Sequence, residues 1–515
     1  MHERVLVIGS GIAGLCAALA LAPTGRDIVI LERDPPPPKG DPDAAFDDWN
    51  RRGVGHLRHS HAFLARLRTL IRDEHPRLLA ELLSAGCREL GFEQMLTDLH
   101  KVDYQPEAVD RDLVVLTSRR TTLELVMRRY VERWPNVRVA SETFVRKLLV
   151  QSDPQGLRVV GVSVADAAGP RDVIGDLVID AGGRTSSGIE QLVEAGAPIA
   201  EETESAGILY FTRHYRLAPG AQEPPRGKAP GTGDLGFLKF GIFPGDNGRF
   251  SITICVPEIE MELRKAIVAP EVFDAVCRQM PGLVPWIDPA TAEGVSRVFG
   301  MGELHSRWRD LVKDGTPAVI GYFALGDSLI RTNPLYGRGC SFAAVQAYLL
   351  RDVLVETDDP VVRMVDFHER VTRELRPYYT SMRDQDRSAI KRAQQTLTPG
   401  FRPSLRSKVL KSFMEDGVNI AVRSDTQILR QALRGFHMLE HPSAWLKKPE
   451  NLLKVFGYWA QPRQQKNAAY PPKPGPDRET LMRTVGLEPE ADMLKIAVTG
   501  SKARAALRQR AAQLP

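Results

Sequence analysis

What this chain lacks narrows its identity first. Its 515 residues include only five cysteines (Cys16, Cys87, Cys255, Cys277 and Cys340), with no Cys-x-x-Cys pair and no histidine spacing that suits zinc. A disulfide scaffold and a structural metal are thereby excluded, and a reducing compartment is expected. No uncharged apolar stretch is long enough to span a bilayer. The apolar run beginning at Gly14 follows a strand and a glycine turn with no positively charged segment before it, so it is not a signal peptide. These absences predict a cytoplasmic protein. Ser-His-Asp and paired-carboxylate constellations are missing too.

Charge of one sign is scarce over most of the chain. The net charge is +5, and residues 461–515 hold ten Lys/Arg against five Asp/Glu, so 10 − 5 = +5 lies in that tail alone. A nucleic-acid partner is excluded, because it would need a basic stripe on a folded face. The proline-interrupted tail ("YPPKPGPDRE") is expected to be a solvated extension, with at most weak contact to an anionic membrane surface. The composition is otherwise that of a globular protein, 43% apolar and 26% charged, long enough for one to three domains.

What is present begins at once. "ERVLVIGSGIAGLCAALALA" reads as a buried strand, a glycine turn and a tightly packed helix. Gly9 makes the turn, Gly11 lets a pyrophosphate approach the backbone, and Gly14 lets helix and strand pack closely. The helix start, Ile12 and Ala13 included, presents free N–H groups and a positive dipole end to phosphate. A second strand, "DIVILER", ends in Glu32 and Arg33, with Glu32 18 residues after Gly14, where a carboxylate can take a ribose hydroxyl pair. This fingerprint occurs once, so one dinucleotide has a dedicated domain.

Far along the chain, "TPAVIGYFALGDSLIRTNPLYGRGCSFAAVQAYLL" gives a strand over 318–325, a Gly326-Asp327 end, an Asn-Pro turn, and Gly337 and Gly339 before a helix to about residue 353. Together the two stretches resemble the FAD-dependent monooxygenases of the p-hydroxybenzoate hydroxylase type, and among these the bacterial polyether-type epoxidases and relatives of squalene epoxidase. The resemblance extends to "VGHLRHSHAFLARLRTL", "TSRRTTLELVMRRYV" and "LVIDAGGRTSS", and covers roughly residues 3–355. It implies FAD as cofactor, with Asp327 on the ribitol chain and Arg120 in contact with the cofactor. Arg58 is a further candidate, His59 a flavin or substrate contact, and Asp180 a holder of the flavin-side turn. Gly326, Pro334, Gly337 and Gly339 would lie along the flavin, the last two where its pyrimidine edge meets backbone. His61 is expected to be structural, since two histidines at i, i+2 on a helix point apart. Cys340 begins the flavin-facing helix, where a thiol has a lowered pKa, and is read as a packing residue.

The expected fold class is α/β, a Rossmann-like FAD-binding domain with an interleaved β-sheet substrate domain and a helical C-terminal region. The domain divisions are 1–78, 113–195 and 297–355 for FAD, 79–112 and 196–296 for substrate, 356–460 helical, and 461–515 the basic tail. "KFGIFPGDNGRFSITI" reads as a hairpin turning at Asp246-Asn247-Gly248. No charged cluster marks the 196–296 segment, so a hydrophobic or neutral small molecule is the expected substrate. The resemblance implies that molecular oxygen is the co-substrate and NAD(P)H the external reductant. A flavin C4a-hydroperoxide would pass one oxygen to an alkene or electron-rich ring. Alternatives are a double-bond reductase of the geranylgeranyl reductase type, a flavin-binding interaction protein, and a halogenase. The six tryptophans contain no Trp-x-Trp-x-Ile-Pro stretch of the halogenases. No signal for an oligomeric state is legible.

Overall fold

The computed structural model describes residues 3–225, 229–398 and 401–493. Eight strands carry the architecture: β1 (Arg4–Ile8), β2 (Asp27–Leu31), β3 (Val137–Ala140), β4 (Leu177–Asp180), β5 (Ile208–Leu217), β6 (Lys239–Pro244), β7 (Arg249–Pro257) and β8 (Tyr322–Ala324). Five of them form a wholly parallel sheet in the order β8-β4-β1-β2-β3. Val5, Val7, Ile28, Ile30 and Val178 are buried, as strands covered on both faces must be. Helix α1 (Ile12–Leu21) follows β1 directly, and α2 (Arg120–Val131) precedes β3. After β8 the chain enters α3 (Gly339–Glu356), which packs along α1. The small side chains of Ala17, Ala18, Ala343 and Ala344 allow that approach.

A second, antiparallel sheet holds β6, β7 and β5 side by side, with short strands at Thr232–Asp234, Ala292–Gly294 and Phe299–Met301 around them. The β6–β7 hairpin turns where the sequence predicts. Asn247 and Gly248 have φ of 51° and 68°, the left-handed values that asparagine and glycine tolerate. Alternation then divides β5. Phe211 and Tyr215 enter a core with Phe240, Ile252, Ile254 and the helix Pro270–Arg278, while Tyr210, Thr212 and His214, on the other face, meet Asn333, His59 and the carbonyl of Arg58.

The C-terminal region is helical, as its periodicity predicts. Its main member is α4 (Pro360–Thr396), 37 residues long, whose first turn is capped by the Asp359 carboxylate at 2.9 Å from the N–H groups of Val361 and Val362. Helices α5 (Leu405–Ser412), α6 (Thr426–Phe436) and α7 (Pro449–Ala460) follow. Residues 79–112 divide between two cores: Leu79, Leu82 and Cys87 join the core of the parallel sheet, and Phe92 and Leu96 pack on Leu429 of α6.

The tail departs from its expected solvation. Leu481 and Met482 are fully buried in the core of the second sheet, and Arg478 donates to Glu260 at 2.8 Å. Two adjacent apolar side chains with a partnered arginine outweigh the basic composition around them. The rest of the tail, 494–515, lies outside the described residues. Among the described residues no helix is long and apolar enough to cross a membrane.

Candidate functional site

The first glycine turn is built tightly. Gly9 has a φ of 90°, and a side chain there would press on the carbonyl of Ala181 at 2.9 Å. A methyl on Gly14 would overlap the carbonyl oxygen of Gly9, whereas one on Gly11 would meet nothing within 4 Å. Gly9 and Gly14 thus fold the turn, and Gly11 leaves open space above it. No side chain caps α1, so the N–H groups of Ile12 and Ala13 are free to receive an anion.

Glu32 stands at the end of β2 but is already engaged. Its Oε2 accepts from the Ser10 N–H (2.7 Å), the Ser10 hydroxyl (2.6 Å) and Arg51 (3.1 Å), and its Oε1 from the Asp34 N–H (2.9 Å). Burial pushes its pKa up, but the charge of Arg51 and these hydrogen bonds outweigh burial and leave it below the ordinary glutamate value. Oε1 has one acceptor direction left for a sugar hydroxyl. Arg51 also donates to Glu124 at 2.9 Å, and Arg120 donates to the same carboxylate at 2.6 Å. Two arginines therefore share one fully buried acid, and the paired charges offset its desolvation. Arg33 donates to Thr185 at 3.3 Å.

Asp180 serves the turn rather than a ligand. Its Oδ1 accepts from the Gly182 N–H (2.9 Å) and Ser328 (3.1 Å), its Oδ2 from Ser186 (2.5 Å) and Tyr322 (2.6 Å), and it is wholly buried. It ties the ends of β4 and β8 together. Gly326, at φ 61°, lies against α1, where an added methyl would come within 2.8 Å of the Ala13 side chain. Asp327 comes next. Its carboxylate has no hydrogen-bond partner among the described residues and is half-buried amid the charges of Arg331, Arg120, Arg307 and Arg184. Burial raises its pKa, and those cations only partly offset the rise.

The second glycine turn is held from outside. Asn333 accepts at Oδ1 from the Tyr210 hydroxyl of β5 (2.5 Å) and the Leu335 N–H (3.0 Å), and donates at Nδ2 to Asp386 of α4 (2.8 Å). Tyr336 donates to the same Asp386 oxygen at 2.9 Å. Pro334 opens the short turn between them, and Gly337 leaves it at φ 65°. Arg338, only 3% exposed, lies over the rings of Tyr336, Tyr378 and Phe436, and burial lowers its pKa to about 10. No side chain caps α3, and a methyl on Gly339 would have only the Thr332 hydroxyl near it, at 3.8 Å.

Two expectations change here. Arg58 does not point to this crevice: its guanidinium donates to the carbonyls of Phe46 (2.9 Å) and Asp47 (3.3 Å), because the end of the 42–48 helix offers free acceptors nearby. Cys340 is not acidic: burial pushes its thiol up to about 11, and Arg120 only partly reverses this. Its packing role fits its place against the main core.

His59 and His61 lie on an irregular segment before the helix Ala65–Glu74, not on that helix. His59 Nδ1 pairs with Thr212 at 3.0 Å, and His61 Nε2 approaches Arg120 at 3.5 Å. Burial lowers both, to about 4 and about 3, so both are neutral at pH 7. From Thr212 a chain of hydroxyls runs through Thr253 (2.7 Å) and Ser60 (2.7 Å) to Ser251 (2.7 Å). The strand alternation of "GILYFTRHYRL" could have signalled Tyr210 and Thr212. Arg51 and Asp386 leave no mark in sequence.

Beside Leu335 and Tyr336 opens a cavity of about 1010 Å³, walled by α4, Lys239 and Pro442. Leu335 also packs with Tyr210, Cys255 and Leu304, so the cavity adjoins the small core on this face of β5 and β7.

Comparison with known proteins bears on the domain and the fold. Residues 4–208 match the FAD binding domain family. The chain is 27% identical over 373 residues to Protein Rv3254 of Mycobacterium tuberculosis, spanning 68% of this chain and 73% of that one. In fold it is similar to PqsL, a probable FAD-dependent monooxygenase from Pseudomonas aeruginosa, with a TM-score of 0.53 at 17% identity over 76% of this chain and 98% of PqsL. It is similar also to the flavin-dependent brominase Bmp2, with a TM-score of 0.54 at 18% identity over 80% of this chain and 93% of Bmp2. The chain thus carries an FAD-binding domain in a mixed α/β fold shared with flavin-dependent monooxygenases.

Proposed function

We propose that this FAD-binding chain is a monooxygenase of the p-hydroxybenzoate hydroxylase type, which inserts one atom of molecular oxygen into a hydrophobic alkene or aromatic substrate with electrons from NAD(P)H. One observation carries the reading: two uncapped helix starts lie side by side, next to an aspartate whose carboxylate has no hydrogen-bond partner among the described residues. Bound FAD would supply the two-electron chemistry and the reaction with oxygen. The N–H groups of Ile12 and Ala13 suit its pyrophosphate, Glu32 its ribose and Asp327 a hydroxyl of its sugar chain. At Gly337 and Gly339 the positive end of α3 would stabilise negative charge on a ring edge held there, by about 0.5–2 kcal/mol.

Around that point the chain's own residues exclude water and hold the geometry. Tyr210, Thr212, Thr253 and Cys255 are buried on the facing sheet, and none carries a charge. An apolar or neutral substrate suits such a face, with the cavity beside Leu335 and Tyr336 as its approach. His59, neutral and bonded to Thr212, holds the sheet against the loop.

The test is oxygenation under isotopically labelled oxygen. Purified protein is supplied with FAD, NADPH or NADH, and panels of alkenes and arenes. One labelled atom in the product and nicotinamide oxidation accelerated by substrate support the reading. A product that gains hydrogen without label, formed anaerobically, makes the chain a double-bond reductase. Halide-dependent product makes it a halogenase.

A further inference from the structure

Helix α5 buries none of its eight residues. So short a helix is not stable in water by itself, yet Leu405, Val409 and Leu410 stand 79%, 48% and 60% exposed. The helix continues through residues 413–418 onto α7, where Phe413 packs at 5.5 Å on each of the Phe456 and Trp459 rings. Trp459 Nε1 donates to Ser412 at 3.1 Å, so α5 and α7 present one surface. Met414, Leu453 and Phe456 extend its apolar part, at 42%, 73% and 48% exposure. Leu405 with Val409, and Leu410 with Met414, are four residues apart and share a side of the helix.

Cations rim this surface. Residues 401–418 hold Arg402, Arg406, Lys408 and Lys411 against Glu415 and Asp416, residues 447–460 hold Lys447, Lys448 and Lys454 against Glu450, and Lys454 is paired with Asp425 at 2.7 Å, so 7 − 4 = +3. Asp416 is turned inward, accepting from Tyr470 at 2.7 Å and Ser412 at 2.8 Å. Exposed leucines interspersed with lysines and arginines fit the boundary of an anionic bilayer. The leucines enter among acyl chains and the cations meet phosphates. A second copy of the chain would set these cations against themselves across a two-fold contact.

We propose that the α5–α7 face docks this protein on anionic lipid bilayers, independently of the chemistry at its flavin site. The docking element is then this folded surface and not the basic tail.

Flotation with extruded vesicles tests the assignment, using the full-length, FAD-loaded protein. Vesicles of phosphatidylcholine with a minority of phosphatidylglycerol should carry the protein at low salt, and phosphatidylcholine alone should not. The double variant L410E/L453E should bind at least about tenfold more weakly, as should K408E/K411E, with melting temperature and FAD content unchanged. Deletion of residues 494–515 should leave binding intact. The proposal is overturned if the wild type fails to float with anionic vesicles. It is overturned equally if flotation survives L410E/L453E but is lost with the tail. A concentration-dependent dimer that L410E/L453E splits, in a protein that ignores lipid, would assign the face to a second copy instead.

Discussion

The two glycine turns of this protein start helices that lie side by side, yet they are held in opposite ways. The Gly9–Gly14 turn is almost self-sufficient: strand, turn and helix follow one another, and Gly9 and Gly14 are demanded by backbone within the unit or just beside it. The Gly337–Gly339 turn has room for methyl groups and takes its shape from elsewhere, through Tyr210, Asp386, Tyr378 and Phe436. In the first, glycine permits packing. In the second, it leaves N–H groups bare, and the C-terminal helices do the holding. Residues 356–460, which have no counterpart in the sequence motifs, thereby acquire a role at the site.

The sharpest way to break the comparison is to add one methyl to each turn. Gly14→Ala would force two backbone segments apart and should cost more than about 4 kcal/mol, read as loss of soluble protein or a collapsed melting transition. Gly339→Ala should change stability by less than about 0.5 kcal/mol in the same measurement. Comparable losses in both would mean that the second turn is as tightly packed as the first.

Cofactor binding comes next in size. Asp327→Ala removes an acceptor that nothing else satisfies, so FAD should bind roughly tenfold to a hundredfold more weakly, about 1.5–3 kcal/mol, with the apoprotein's melting temperature held. Fluorescence titration of apoprotein with FAD reads this directly. Undiminished affinity would place the sugar chain elsewhere.

Asp386 tests the outside support. Asp386→Ala strands Asn333 Nδ2 and should destabilise by about 1–3 kcal/mol, whereas Asp386→Asn keeps an acceptor for Asn333 and Tyr336. Burial lifts the Asp386 carboxyl to about 6 from its ordinary 3.8. The folded protein then binds this proton more tightly than the unfolded chain, so this group's contribution to stability falls as pH rises from about 4 to about 6 and is level above that. Denaturation across that window should show the slope in the wild type and a flatter one in Asp386→Asn. An identical slope in both would remove Asp386 as its source.

The smallest effect belongs to Gly11→Ala. Its methyl meets no atom within 4 Å, so melting should shift by less than about 0.5 kcal/mol. FAD affinity should nonetheless fall, because the methyl stands where the phosphate must approach. Unchanged affinity would take the pyrophosphate away from this helix start.

Legibility followed range. The β1–α1–β2 unit, the 245–248 hairpin turn and the start of α3 could all be read, because each is set by neighbours a few residues apart. Arg58 could not be placed, since its partners are carbonyls freed by a short helix end. The buried acid Glu124 gave no sign of being shared by Arg51 and Arg120, 73 and 4 residues away. The docked part of the tail was hidden by its charge: Leu481 and Met482 are buried by a sheet whose strands all end by Met301, 481 − 301 = 180 or more residues earlier.

By itself the sequence determined a dinucleotide cradle, an antiparallel hairpin and a helical C-terminal region, through glycine spacing, strand alternation and helical period. Those are properties of short segments, where sterics and hydrophobic periodicity act locally. Only the tertiary structure decided which charges meet and which are left free. It placed the Asp327 carboxylate among four arginines with no hydrogen bond to the described residues, gave Asn333 its partners on β5 and α4, and left α5 with its apolar side chains uncovered. The physical reason is that electrostatic pairing and burial depend on distance in space, which residues remote in the chain set only once the layers have packed.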